Sequence, residues 1–207
     1  MVFELFRGVG ESQVDLIQKE IGTLLATSSG TSRMALDAPT RRTDLASIGT
    51  TLRKRDRSIN KVERMIRRRL IVHAGVRGAL ADAPALFVYM SIAKDIERVG
   101  DLAKDMWDLA YAGADMSRGE LKEIADGVGE KVLRLIDDTA RVFGERDAEA
   151  AIDILNASDM DVDYYEAQML AQMKADNAAD AVALALFYRY ATRITAHLMN
   201  VLTAVVM

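Results

Sequence analysis

The chain contains no cysteine, which excludes a disulfide framework, a thiolate metal site and a cysteine nucleophile. It has two histidines in 207 residues, His73 and His197, too few for an imidazole-based zinc centre. Any bound metal would therefore rest mainly on carboxylates. Two prolines and 13 glycines are few for a turn-rich β architecture. Long apolar runs are also missing: the longest, at residues 83–90 and 181–188, are eight residues each, whereas a membrane span needs about 20. The start, Met1 to Arg7, carries Glu4 within its only apolar stretch; this does not fit a secretory leader and predicts a cytoplasmic chain.

Half of the composition is apolar, enough for a sizeable core. Ala, Leu, Met and the charged residues dominate, which favours helix. The net charge of −4 is unevenly placed: residues 1–103 carry 17 Lys and Arg against 12 Asp and Glu, and residues 104–207 carry 10 against 19. Such halves suit different partners or each other, and unevenly distributed surface ion pairs account for them as well.

Sparse punctuation predicts six helices. Ser12-x-x-Asp15 opens the first, which Ser28-Ser29-Gly30 weakens and which should stop before Pro39. The second runs from Asp44 to about His73, with Ile59, Val62, Ile66 and Leu70 at helical spacing and Gly75 and Gly78 closing it. Asp82-Ala83-Pro84 opens the third, which reaches about Ala112 before Gly113. The fourth has the capping-box form Ser117-x-x-Glu120 and stops at Gly144; Asp147 starts the fifth, and Asn177-x-x-Asp180 the sixth. Helices of 25–30 residues, about 40 Å each, predict an all-α fold of two similar three-helix bundles, 1–113 and 114–207.

The most informative stretch lies on the third helix. Glu97, Asp101, Asp105 and Asp108 stand at i, i+4, i+8 and i+11 and share one face. Ile92, Ile96, Val99, Ala103, Met106 and Ala110 lie opposite and should pack inward. Like charges four residues apart are unfavourable on a helix, so something must offset them. One answer is ion pairing with Lys94 and Lys104; the other is a hard cation bound by stacked carboxylates. The second helix has a matching polar row at Asp56, Asn60 and Glu63, and Gly100 leaves room for a close approach. No Glu-x-x-His pair supports a ferritin-type di-iron centre.

Residues 95–105, Asp95-Ile96-Glu97-Arg98-Val99-Gly100-Asp101-Leu102-Ala103-Lys104-Asp105, resemble the signature helix of PhoU-type proteins, Asp-Leu-Glu-Arg-Ile-Gly-Asp-x-Ala. Upstream, Asp56-Arg57-Ser58-Ile59-Asn60-Lys61-Val62-Glu63 is similar to that family's preceding helix. The resemblance implies two tandem three-helix bundles with surface metal clusters held by Glu/Asp-x-x-x-Asp motifs. Here the metal-holding residues would be Asp56, Asn60, Glu97, Asp101 and Asp105, and the metal iron, zinc, manganese or magnesium. It also implies a non-enzymatic cytoplasmic regulator of phosphate, or other ion, transport that docks on a membrane transporter or its sensor kinase at the inner face of the membrane. From the residues alone, a metal-dependent phosphohydrolase and a metal-free helical scaffold remain open. The second repeat departs from the pattern. Asp159-Met160-Asp161-Val162-Asp163 keeps the first half of the motif, but Thr192 and Ala196 stand where the glutamate and aspartate belong, so one metal site should be lost or weakened. The early Asp-Leu-Arg of the third helix is replaced by the apolar Leu86-Phe87-Val88.

Between Arg53 and Arg69 there are nine basic residues against two acidic ones. Arg57, Lys61, Arg64 and Arg68 line one helical face. They suit ion pairing with the acidic regions, attraction to anionic lipid or transporter loops, or nucleic acid; overall charge and missing aromatic interleaving argue against the last. The two histidines, scattered methionines and Trp107 fit structural positions, and no catalytic set is visible. The apolar C-terminal helix makes a homodimer an expected assembly.

Overall fold

A computed structural model describes residues 13–40, 44–77 and 82–207. It is all-α: α1 Gln13–Thr40, α2 Leu45–Arg77, α3 Ala83–Tyr111, α4 Gly119–Glu145, α5 Ala148–Ala171 with a 3₁₀ turn Gln172–Lys174, and α6 Ala178–Val206. In sequence they fall into two sets of three, α1–α3 and α4–α6. In space, α2 packs on α1 and α3, this pair packs on α4 and α6, and α5 packs chiefly on α6. The four central helices are thus flanked by α2 on one side and α5 on the other.

Burial explains this order. At one end Ile17, Ile21 and Leu24 of α1 meet Ile59 and Ile66 of α2, Ile92 of α3, Phe143 of α4, Ala151 of α5 and Leu202 of α6. At the other, Leu36, Leu52, Met106, Trp107, Ile136, Tyr165 and Leu198 again draw on all six helices. Each unit therefore completes the core of the other. The predicted inward face of α3 is confirmed: Ile96, Ala103 and Met106 are fully enclosed. Among the described residues no helix is long and apolar enough to cross a membrane.

Several caps match their signals. Asp44 accepts the backbone N–H of Ala46 at 3.1 Å, Asp147 that of Ala150 at 3.0 Å, and Asn177 those of Ala179 and Asp180. Other expected stops are overridden by packing. The helix α1 runs through Ser28-Ser29-Gly30 and on through Pro39, because Leu36, Ala38 and Thr40 of its last turn are buried. The predicted cap Ser12 lies outside the described residues, as does Gly78. Gly75 and Gly144 sit inside α2 and α4 rather than ending them. What ends α4 is Arg146, a non-glycine residue in the left-handed region at φ 59°. Its guanidinium reaches back to Gln18 and to Asp15 of α1, and those contacts hold a conformation that a side chain usually avoids. The capping box fails as well: Ser117 turns its hydroxyl onto Asp115 Oδ1 at 2.7 Å, and Arg118 occupies the capping position without a side-chain bond. Asp82 likewise precedes α3 without capping it, since its carboxylate meets His73 Nε2 at 2.8 Å.

Candidate functional site

The two polar rows do meet, along the seam between α2 and α3. Their helices run antiparallel, so the row Asp56, Asn60, Glu63 faces the row Glu97, Asp101. The centre is a pair of neighbouring carboxylates, Asp56 and Asp101, bridged by a shared lysine. Lys104 Nζ stands 3.8 Å from an oxygen of each, and Asn60 Nδ2 donates to Asp56 Oδ2 at 3.5 Å. Arg98 reaches Asp101 at 3.4 Å from the solvent side.

Burial drives the electrostatics here. Desolvation, reinforced by the neighbouring Asp56 carboxyl, holds Asp101 above the ordinary carboxylate range, against the pull of Lys104 and Arg98. Asp105 is also raised, again chiefly by burial, with Asp108 and Asp101 adding to it and Lys104 opposing. Because the folded form holds these protons at higher pH than the unfolded chain, stability is gained as pH falls toward the usual value of 3.8 and lost as pH rises through the raised folded values. Asp101→Asn is thus expected to melt at a higher temperature than the parent near pH 7, with a smaller gain on moving to about pH 5. Thermal unfolding at both pH values checks this; a lower melting temperature near pH 7 would mean that the Lys104 contact outweighs the buried charge.

Glu97 is more enclosed than an outward row implies, at 6 % exposure. Lys94 Nζ stands 2.7 Å from its Oε2, yet that oxygen has no aligned hydrogen-bond donor. Glu63, only 3 % exposed, takes Arg67 at 3.1 Å. Both lysines expected to neutralise the stripe do engage it. Among the described residues, no three Asp, Glu or His side chains are gathered as a ready-made metal cage. Gly100 does not make room for a cation: a β-carbon there would meet Ile59 of α2 and Ser28 of α1, so its role is helix packing.

Asp105 belongs to a neighbouring open cavity of about 530 Å³ between α3 and α6, lined by Arg98, Asp101, Lys104, Arg189, Tyr190 and Arg193. Arg189 and Arg193 interrupt the apolar α6, and their i, i+4 spacing places them on one face. A second contact of α3 with α6 had no local signal. Asp95, 9 % exposed, meets His197 Nδ1 at 2.8 Å and Asn200 at 3.3 Å, more than 100 residues away in sequence. In the second repeat, Asp159 and Asp163 are exposed on α5, while Thr192 is buried and donates its hydroxyl to Tyr188 O at 3.0 Å. The facing helix α6 carries no carboxylate beyond Asp180.

Two features bear on a cation at this seam. Asp56 and Asp101 concentrate negative charge beside Lys104 and Arg98, and Glu97 Oε2, 2.7 Å from Lys94 Nζ, is a buried acceptor without an aligned hydrogen bond. A PhoU domain family model matches residues 21–110, a span that includes both rows. No curated protein sequence matches the chain. Its fold is similar to that of the crystal structure of the phosphate transport system regulatory protein PhoU from Streptococcus pneumoniae, with TM-score 0.76 and 19 % identity over 93 % of each chain. It is similar also to PhoU from Pseudomonas aeruginosa, with TM-score 0.79 and 19 % identity over 93 % of this chain and 95 % of that one.

Proposed function

We propose that this chain, PhoU-like in its fold and, over residues 21–110, in its sequence, is a non-enzymatic regulator of phosphate transport. It would act in the cytoplasm by docking on a membrane transporter or its sensor kinase. The observation that carries this reading is the family match across α2 and α3, the two helices whose carboxylate rows converge. One of the structurally similar proteins is a phosphate transport system regulatory protein by description. A regulator needs a surface another protein can read, and the α2–α3 seam is a charged, partly exposed ridge rather than an enclosed substrate pocket.

A divalent or trivalent cation at this seam would be held by Asp56 and Asp101, with Asn60 beside them and Glu97 one turn away; Asp105 faces the adjoining cavity. It would supply the positive charge that Lys104 supplies in part, and its binding would compete with protons on Asp101. Titration calorimetry with Mn²⁺, Fe²⁺ and Zn²⁺ is expected to show binding to the parent and to Asp159→Ala, but not to Asp101→Ala. Binding that survives Asp101→Ala, or none to the parent, refutes the site. The regulatory reading is tested separately: with the chain as bait, solubilised host membranes should yield a phosphate transporter or a sensor kinase. Recovery of neither, or robust hydrolysis of phosphate esters with Mn²⁺ or Mg²⁺, would contradict it.

A further inference from the structure

Most cations on this surface have an acidic neighbour: Arg33 has Asp137, Lys131 has Asp161, Arg141 has Asp138 and Glu145, and Arg118 has Asp115. A row of five on α2 differs. Lys54, Arg57, Lys61, Arg64 and Arg68 are exposed on α2, spaced three and four residues apart, with no carboxylate in ion-pair reach among the described residues. At 100° per residue they sit directly opposite Leu52, Ile59, Ile66 and Leu70, the buried face of the same helix. Their neighbours on α2 that face the protein are engaged instead: Arg55 donates to Gly30 O, Arg67 to Glu63 and Arg69 to Glu20. The row continues into Ile71 and Val72, exposed at 63 % and 55 %.

We propose that this face of α2 is a peripheral docking surface for anionic lipid headgroups. Two further observations select a lipid surface over a protein. The face is the outward side of one flanking helix, and a row of exposed cations ending in exposed Ile71 and Val72 fits a plane of phosphates above acyl chains. On the opposite flank, α5 carries Glu149, Asp153, Asp159, Asp161, Asp163 and Glu166 and no basic residue. An anionic membrane repels that side, so the charge asymmetry fixes which flank faces the lipid. The acidic α5 of a second copy is the competing occupant. A contact between two single helices, however, falls short of the roughly 1,200–2,000 Å² that stable interfaces bury.

The surface goes beyond the regulatory reading and does not depend on it, since vesicles contain neither transporter nor kinase. Cosedimentation with vesicles of phosphatidylglycerol and phosphatidylcholine is compared with phosphatidylcholine alone. The chain is expected to bind the anionic vesicles only, and binding should weaken as salt is raised. Each Lys or Arg near such a surface adds about fivefold, so the variant Arg57→Glu/Lys61→Glu/Arg64→Glu/Arg68→Glu should lose binding by more than tenfold. A control variant, Arg33→Glu/Arg141→Glu, removes paired cations elsewhere and should retain it. Circular dichroism establishes that each variant is folded; should the fourfold variant not fold, Arg57→Gln/Arg64→Gln takes its place and should lose binding by about tenfold or more. Absence of binding to anionic vesicles, equal binding to neutral ones, or binding unchanged in the α2 variants overturns the proposal. So does concentration-dependent self-association that the α2 variants abolish while vesicle binding persists, which would give the face to a second copy.

Discussion

Trp107→Ala is expected to lower the stability of the protein by about 3–5 kcal/mol, a large share of the roughly 5–15 kcal/mol typical of a domain. The indole is fully buried where α3 crosses the start of α2. It stacks on Tyr111 with ring centres 4.9 Å apart, and the Arg53 guanidinium lies 5.7 Å above its ring. Gly49 makes room for it: a β-carbon there would clash with the indole. Truncation therefore leaves a void the size of two rings, bounded by helices whose remaining contacts resist collapse. The same geometry makes the pair non-additive. Gly49→Ala should destabilise the parent, because helix backbone cannot retreat from the ring, and should be close to neutral once Trp107 is alanine. Urea unfolding of the four variants in this cycle measures both effects. A Trp107→Ala loss below about 1 kcal/mol would contradict the packing described.

The second large effect is expected at the joint between the units. His197→Ala should destabilise by about 3 kcal/mol, the penalty for leaving a buried charge without its partner. Asp95 is 9 % exposed and, among the described residues, retains Asn200, at 3.3 Å, when the imidazole is gone. The Nδ1 contact at 2.8 Å is a direct polar link between α3 and α6. Removing both partners together should be milder than the sum of the single losses, since no unpaired carboxylate then remains. Unfolding of Asp95→Ala, His197→Ala and the double variant tests this; strict additivity would mean that the two side chains do not interact.

Local chemistry made much of the fold readable. Asp44, Asp147 and Asn177 announced helix starts because each satisfies free backbone N–H groups within two or three residues, and the periodicity of Ile92, Ile96, Val99 and Ala103 marked the buried side of α3. Misread boundaries were those where distant burial outweighs local preference. Pro39 and Gly144 remain helical beside Leu36, Ala38 and Phe143, all of which are buried. Arg146 ends α4 through partners on α1 that no local rule identifies. The same holds for the charged residues. The spacing of Glu97, Asp101 and Asp105 places them on one face, but does not show the depth of Glu97 or the cavity that Asp105 shares with Arg189 and Arg193. Those depend on how α3 packs against α2 and α6 at once. The Asp95–His197 contact, formed across the two units, left no trace in either segment.

The most direct test of the regulatory reading is phosphate uptake by host cells that lack this chain. Radiolabelled phosphate uptake in deleted cells is expected to lose its dependence on external phosphate. Expression of the parent should restore that dependence, and Asp56→Ala/Asp101→Ala, removing both central carboxylates of the α2–α3 seam, should fail to restore it. Uptake that follows external phosphate normally without the chain would contradict the proposed function.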